Sequence, residues 1–160
     1  MIRLHIPAAL LLALLSACSK SVITPIDDTP QSAPIPCISV RAHNGLDDPL
    51  QVIRSEGEYQ AMQRALRDTA ERCADSTFPA IDFSRYTLLG TITTGGGCWL
   101  TAPVSRMSIV RDAVAKSVLW KIVHIQQGSC KPLNHITSWI IVPAIPADHT
   151  VSVAVETEVE

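Results

Sequence analysis

Apolar side chains recur at helical spacing in the stretch that follows Ser55. The stripe consists of Tyr59, Met62, Leu66, Ala70 and Cys73. Charged residues occupy the other faces, as in a helix that buries one side. Ser55 and Glu58 have the spacing of a capping box, in which each side chain accepts a hydrogen bond from the other residue's backbone N–H. The pattern predicts one helix that begins after Ser55 and ends near Cys73.

Most other apolar residues form short runs that favour β-strands, because they are rich in β-branched side chains or alternate with polar ones. The predicted strands cover residues 38–41, 50–53, 86–94, 103–110, 117–126, 138–142 and 151–155. Trp120 and Trp139 lie within such runs and are predicted to be core residues. Six or seven strands and one helix predict an α+β fold, mainly antiparallel β-sheet with the capped helix packed on it.

The first 17 residues have the pattern of an export signal. Arg3 precedes an apolar run at residues 6–15, and Leu15-Ser16-Ala17-Cys18 places a cysteine directly after small residues. In bacterial lipoproteins this cysteine is acylated, with palmitate among the acyl chains, and becomes the first residue after cleavage. We expect Cys18 to carry this anchor. The alternative is an ordinary secreted protein whose apolar run precedes a cysteine by chance.

These signals predict the domain organisation. Residues 1–17 form the lipoprotein signal peptide, residues 18–36 the acylated cysteine and a Pro/Ser-rich tether, and residues 37–160 a single disulfide-stapled globular domain. The tether prolines are Pro25, Pro30, Pro34 and Pro36, and proline keeps a chain extended. The anchor places the domain in the bacterial cell envelope. Ser19, directly after the cysteine, favours the outer membrane.

The net charge bears on the partners of the protein. The chain has 13 Lys and Arg against 15 Asp and Glu, a formal net charge of −2. Removal of residues 1–17 takes away one base, Arg3, so the mature charge is 12 − 15, or −3. Without a basic run, this balance argues against nucleic acid and against an electrostatic membrane patch. The expected membrane contact is the lipid anchor.

Four cysteines follow Cys18, and they are Cys37, Cys73, Cys98 and Cys130. No Cys-x-x-Cys pair occurs, so neither a zinc ribbon nor a redox pair is indicated. An even number in an exported chain favours two disulfides, with three pairings possible. A hairpin that turns near residues 112–115 would oppose residues whose numbers add to about 228, as 98 and 130 do. We therefore predict the disulfides Cys98–Cys130 and Cys37–Cys73.

The most unusual local stretch runs from Thr93 to Trp99 and contains three consecutive glycines. A recognition loop would comprise Thr94, Gly95, Gly96, Gly97 and Trp99. Glycines let a partner approach the backbone closely, and tryptophan is a frequent anchor of interfaces. The alternative is a wide turn or bulge that accommodates a bridge at Cys98. The stretch lacks the Gly-Lys-Ser/Thr ending of a phosphate-binding loop.

Residue spacing gives no signature of catalysis or of a metal site. The histidines His43, His124, His135 and His149 lack the short spacings that place two ligands on one face. They are expected to be surface or strand-edge residues. No Gly-x-Ser-x-Gly elbow is present. We therefore expect no catalytic residues, no metal and no cofactor.

Three short motifs resemble a known family. Pro79 with Ile81-Asp82-Phe83-Ser84 precedes a strand that leads to Thr94-Gly95-Gly96, and Trp139-Ile140-Ile141-Val142-Pro143 is similar to a closing strand. The order resembles the C-terminal domain family of the protease-complex subunit PrcB, found in bacterial envelope lipoproteins, over residues 50–156. Gly97-Cys98 stands where that family has an aromatic residue. The resemblance implies association with an envelope protease.

Together these observations predict a membrane-anchored envelope lipoprotein that acts as a non-enzymatic binding or accessory module. The alternative is an envelope hydrolase or a metal-dependent enzyme whose site is assembled from separate strands. A deep pocket with converging histidines and carboxylates would favour that alternative.

Overall fold

Two four-stranded sheets and one α-helix make up the part of the chain that the computed structural model describes, which comprises residues 23–25, 30–36, 50–69, 73, 76–96, 104–126 and 133–159. The elements are β1 (Ile23–Pro25), β2 (Gln31–Ser32), β3 (Leu50–Ile53), α1 (Glu56–Thr69), β4 (Tyr86–Gly96), β5 (Val104–Asp112), β6 (Ser117–Gln126), β7 (Leu133–Pro143) and β8 (Thr150–Val159). The predicted α+β fold with one helix is confirmed. No helix within these ranges is long and apolar enough to cross a membrane.

The layers of the fold stack in the order helix, sheet, sheet. The sheet β2-β7-β4-β3 lies between α1 and the sheet β1-β5-β6-β8. The core on its helix side contains Ala33, Ile53, Tyr59, Met62, Leu66, Leu88 and Trp139. The core between the sheets contains Leu89, Ile109, Val118, Trp120, Ile122, Ile140, Val142 and Ile145. Because successive strand residues alternate between faces, β4 and β7 must be apolar on both faces. The predicted core positions of Trp120 and Trp139 are confirmed.

The start of α1 has the predicted capping box. The backbone N–H of Glu58 donates to Ser55 Oγ over 3.3 Å, and the N–H of Ser55 donates to Glu58 Oε2 over 3.1 Å. The N–H of Arg54 donates to the same carboxylate oxygen over 2.6 Å. The described part of the helix extends to Thr69, and residues 70–72 lie outside the described residues, so the predicted end near Cys73 stays a prediction. Cys73 is fully buried.

Strands β4 to β7 form two antiparallel pairs that share one register. Tyr86 lies opposite Pro143 in the β4–β7 pair, and Asp112 lies opposite Ser117 in the β5–β6 pair. The numbers of opposed residues add to 229 in both pairs (86 and 143, 112 and 117). This sum differs by one residue from the predicted sum of about 228. We call these four strands, β4 to β7, the ribbon; β4 and β7 lie in one sheet, and β5 and β6 lie in the other.

The predicted disulfides depend in part on that register. A shift of one residue turns a side chain to the other face of a sheet, so the observed register does not support the pairing of Cys98 with Cys130. Cys37, Cys98 and Cys130 lie outside the described residues, as does the acylation site Cys18. The pairings Cys98–Cys130 and Cys37–Cys73 stay predictions.

The last strand departs from the antiparallel pattern. Strand β8 pairs with β6 in parallel, from Ser117 opposite Thr150 to Gln126 opposite Val159. The cause is β7, which lies between them in sequence but belongs to the other sheet. Each strand reverses the chain direction, so β6 and β8 run the same way when they become neighbours. Local sequence patterns do not show which of the two sheets a strand joins.

The segment 30–36 also differs from the prediction, which treats it as part of a tether with almost nothing that could pack. Gln31 and Ser32 pair with Ile141 and Ile140 of β7, and the N–H of Ala33 donates to the carbonyl of Trp139 over 2.9 Å. The small side chain of Ala33 is buried in the helix-side core. Residues 30–36 therefore belong to the folded unit. The predicted strand at residues 38–41 lies outside the described residues.

Candidate binding groove

A groove of about 610 Å³ runs along the edge of β7. Its walls come from the segment 30–35, from β5 and from β7. The lining residues are Pro30, Ser32, Ala33, Pro34, Ile35, Ser105, Met107, Ile136, Thr137, Ser138, Trp139 and Ile140. None of these side chains is charged. The groove thus combines apolar surface with hydroxyl groups and strand backbone, a composition that suits a neutral ligand.

Among the described residues, the edge of β7 is open beyond Trp139 because the segment 30–36 leaves it early. Ala33 bonds to the carbonyl of Trp139, but the N–H of Ile35 donates back to the carbonyl of Ala33 over 2.8 Å. This three-residue turn, centred on Pro34, carries the chain off the strand. Among the described residues, β7 from Leu133 to Ser138 pairs only with β4. The first half of β5 is similar, since β1 pairs with β5 only at residues 110–112.

Behind the groove lies a buried histidine with a hydroxyl on each side. His124 is 2 % exposed. Its Nδ1 lies 2.7 Å from Oγ of Ser105, a groove residue, and its Nε2 lies 2.8 Å from Thr93 Oγ1. Burial lowers the pKa of His124 below its ordinary value, because the charged imidazolium loses hydration. The ring is therefore neutral at neutral pH.

The bonding of Thr93 defines the tautomer of this ring. The Thr93 hydroxyl donates to the carbonyl of Ile136 over 3.3 Å, so its oxygen accepts from Nε2–H of His124. Nδ1 then carries the lone pair and accepts from the Ser105 hydroxyl. The chain of bonds runs from the groove through His124 to the backbone of β7. It satisfies every polar atom of the buried ring, and it leaves Ser105 paired with a base.

The glycine-rich stretch lies next to this network. Thr94, Gly95 and Gly96 belong to β4 rather than to a turn, opposite His135, Asn134 and Leu133. A Cβ at Gly95 would meet Ile136 Cδ1 at 3.0 Å and the His124 ring at 3.5 Å, so the glycine gives His124 its space. Thr94 is exposed. Gly97 and Trp99 lie outside the described residues, and the binding role of the stretch stays a prediction.

The first motif of the family resemblance, at residues 79–84, has a local structural role. Asp82 Oδ1 accepts from the N–H of Ser84 over 3.0 Å and from its hydroxyl over 2.5 Å. These bonds form an Asx turn that leads into β4, and they hold the pKa of Asp82 below its ordinary value. Phe83 and Ile81 pack against the helix-side core. The turn thereby sets where β4 begins.

The groove was not predicted from the sequence, and the prediction that His124 is a surface or strand-edge residue is wrong, because the side chain is buried on the inner strand β6. The groove depends on how two sheet edges meet, which no local pattern encodes. His124 could have been found, because it follows Val118, Trp120 and Ile122 at alternate positions of β6, all of which are buried. Of the other histidines, His135 is exposed, His149 is half-buried beside Asp148, and His43 lies outside the described residues.

Metal ligation finds no support in the described ranges, where no group of three or more His, Cys, Asp or Glu side chains converges. The chain was also compared with known proteins. No family model, no curated protein and no solved structure matches it.

Proposed function

We propose that the protein is a lipid-anchored binding module of the bacterial envelope, and that its binding site is the groove along β7. The observation that carries the proposal is the groove itself, which has an uncharged lining and two walls with strand backbone open among the described residues. The N-terminal Leu-Ser-Ala-Cys pattern supports the anchor. The module acts by holding another molecule, without chemistry on it.

The partner we propose is another envelope protein. The motif at residues 79–84 and the strand ending at Pro143 resemble a family associated with an envelope protease, and such a protease or a protein that accompanies it is the first candidate. The mature charge of about −3 and the lack of a basic run argue against nucleic acid. The membrane contact is the lipid on Cys18.

Photo-crosslinking in living cells tests the site. Three threonines of the chain offer matched positions for a photoreactive residue: Thr137 in the groove, Thr94 in the glycine-rich stretch, and Thr157 on the exposed part of β8. We expect a discrete adduct with one envelope protein from Thr137 and none from Thr157. An adduct from Thr94 alone would move the site to the glycine-rich stretch. Equal adducts from all three positions would contradict a specific site.

Substitution of the lipidation cysteine tests the anchor separately. Cys18→Ser removes the thiol that accepts the diacylglyceryl group, so the protein should lose its palmitate label and leave the membrane fraction, because acyl chains supply the membrane affinity. Cys37→Ser is the control and should keep the label. A mature wild-type chain that starts at Ser19 or later would contradict the anchor.

A hydrolase is the second candidate, and the pairing of Ser105 with neutral His124 favours it. In this scheme Ser105 Oγ attacks the carbonyl carbon of an ester or amide while its proton moves to Nδ1 of His124, and the carbonyl electrons move to the oxygen. Collapse of this intermediate breaks the bond to the leaving group, which takes the proton from Nδ1, and water then releases the acyl group from the serine by the same route. A fluorophosphonate probe tests it by covalent labelling of the serine. Ser108, on the same strand but exposed on the other face, is the control. Labelling lost in Ser105→Ala and kept in Ser108→Ala would support a hydrolase. Equal labelling of both variants would exclude this site.

A further inference from the structure

We infer that the groove takes an extended, uncharged polypeptide segment of the partner, added as a strand to the open edge of β7. This inference rests on the proposed binding function and specifies its ligand. It also predicts which backbone groups of the protein make the bonds.

The bond from Ala33 identifies those groups. Its N–H donates to the carbonyl of Trp139, so the backbone of Trp139 is directed towards the edge on the β2 side. In a strand, backbone directions alternate with each residue. The N–H and C=O groups of Thr137 and His135 therefore point to the same edge, whereas those of Ser138 and Ile136 point to β4. Thr137 and His135 have no strand partner on this edge among the described residues.

The N-terminal segment shows how such a ligand binds. Gln31, Ser32 and Ala33 lie against β7 in antiparallel register, opposite Ile141, Ile140 and Trp139. A continued strand would place the next edge bonds at Thr137. The turn at Pro34 prevents this continuation, because it directs the N–H of Ile35 to Ala33 instead. A partner strand can therefore start where the chain's own strand stops.

The lining indicates the chemistry of the ligand. A row of edge-directed backbone groups, spaced about 7 Å apart on alternate residues, matches another strand rather than a compact small molecule. The side chains around the row are apolar or carry hydroxyl groups. A charged ligand side chain would lose its hydration there without an opposite charge to replace it. Small apolar residues and threonine or serine are the side chains that fit.

The test substitutes Thr137, where proline distinguishes a ligand that bonds to the β7 backbone from one that does not. Thr137→Pro removes an N–H that points to the open edge, and proline is tolerated at such edge positions because no bond within the sheet is lost. Thr137→Ala also removes the threonine hydroxyl but keeps the N–H. The two variants thus differ in backbone bonding, and thermal unfolding of both verifies that the fold is intact.

The probe is a library of blocked, uncharged octapeptides, titrated against the detergent-solubilised full chain. The best binder is then repeated with N-methyl groups on alternate backbone nitrogens. We expect the peptide to bind Thr137→Ala with a dissociation constant within about threefold of the wild-type value. Thr137→Pro should bind it at least about tenfold more weakly, because one backbone hydrogen bond is lost and the proline ring blocks the edge. The peptide with N-methyl groups on the nitrogens that face β7 should bind the wild type as weakly as the unmodified peptide binds Thr137→Pro.

Three results would overturn the inference. One is that no library peptide binds, and another is that Thr137→Pro binds as well as the wild type. The third is concentration-dependent dimerisation that Thr137→Pro abolishes, which would make a second copy of the chain the occupant. In each case, a specific crosslink at Thr137 would still support the proposed binding function and would contradict only the proposal that the ligand binds as a strand. Loss of that crosslink would remove the binding function as well.

Discussion

Gly90 and Trp139 face each other across β4 and β7, and the indole ring fills the space that a side chain on Gly90 would occupy. A Cβ at Gly90 would lie 2.4 Å from the six-membered ring of Trp139. That contact is too close for any real side chain, so the ring would have to move within a packed core. Gly90 thus fixes the place of a tryptophan that also lines the groove.

We expect Gly90→Ala to lower the free energy of unfolding by about 1–3 kcal/mol, the usual cost of overpacking a core. Urea denaturation measures the change. Gly57→Ala is the matched control, because a Cβ at Gly57 in α1 has nothing within 4 Å. It should raise the free energy of unfolding by up to about 1 kcal/mol, since alanine restricts the unfolded chain. Equal effects of the two substitutions would contradict the close packing at Gly90.

His124 makes the stability depend on pH. Its pKa is lowered by burial, so the folded chain binds fewer protons than the unfolded chain once the pH falls to about the ordinary histidine pKa of 6.5. The free energy of unfolding therefore decreases as the pH is lowered through this value. We expect the decrease between pH 7.5 and 5.5 to be smaller in His124→Gln. The exposed residue His135 provides the control His135→Gln, which should keep the wild-type dependence. The same dependence in His124→Gln would refute the assignment.

At the scale of elements, the helix cap is the feature in which sequence and structure agree most directly. Glu58 Oε2 accepts from the N–H groups of both Ser55 and Arg54. Ser55→Ala should lower the melting temperature, with a loss of about 1 kcal/mol, because an N–H at the helix start loses its acceptor. Ser84→Ala, in the turn before β4, should not change the helical signal in circular dichroism. A cap variant as stable as the wild type would show that α1 is held by packing alone.

The cap and the strand positions could be predicted because they depend on neighbours in sequence. Ser55 and Glu58 carry their own signal, and the runs of β4 and β6 follow from their β-branched residues. The parallel β8 could not be predicted, since it depends on β7 joining the other sheet. The burial of Ala33 could not be either, because a small residue beside prolines resembles a linker until a strand edge is present. The groove has the same origin, and among its residues Ser105 gave no signal at all.

At the scale of the whole molecule, the segment 30–36 is part of the fold. It contributes Ala33 and Ile35 to the helix-side core and covers part of the β7 edge. A soluble form that starts at Cys37 should therefore melt at a lower temperature than one that starts at Ser19, and should aggregate more readily, because a longer strand edge is open. A form that starts at Thr29 is the control and should retain most of the stability. Equal melting of all three forms would show that the segment adds nothing.

The ribbon of strands β4 to β7 also predicts an order of events in folding. Asp112 and Ser117 meet across one tight turn, in which Asp112 Oδ1 accepts from the N–H groups of Val114 and Ala115. Tyr86 meets Pro143 only after the whole intervening chain is in place. Closing a short loop first reduces the entropy lost by each later closure. Strand pairing in the ribbon should therefore begin at the turn after Asp112 and proceed towards Tyr86. The β5–β6 pair of one sheet should form before the β4–β7 pair of the other. Destabilising substitutions of Asp112 should lower the folding rate, whereas destabilising substitutions in β8 should mainly raise the unfolding rate.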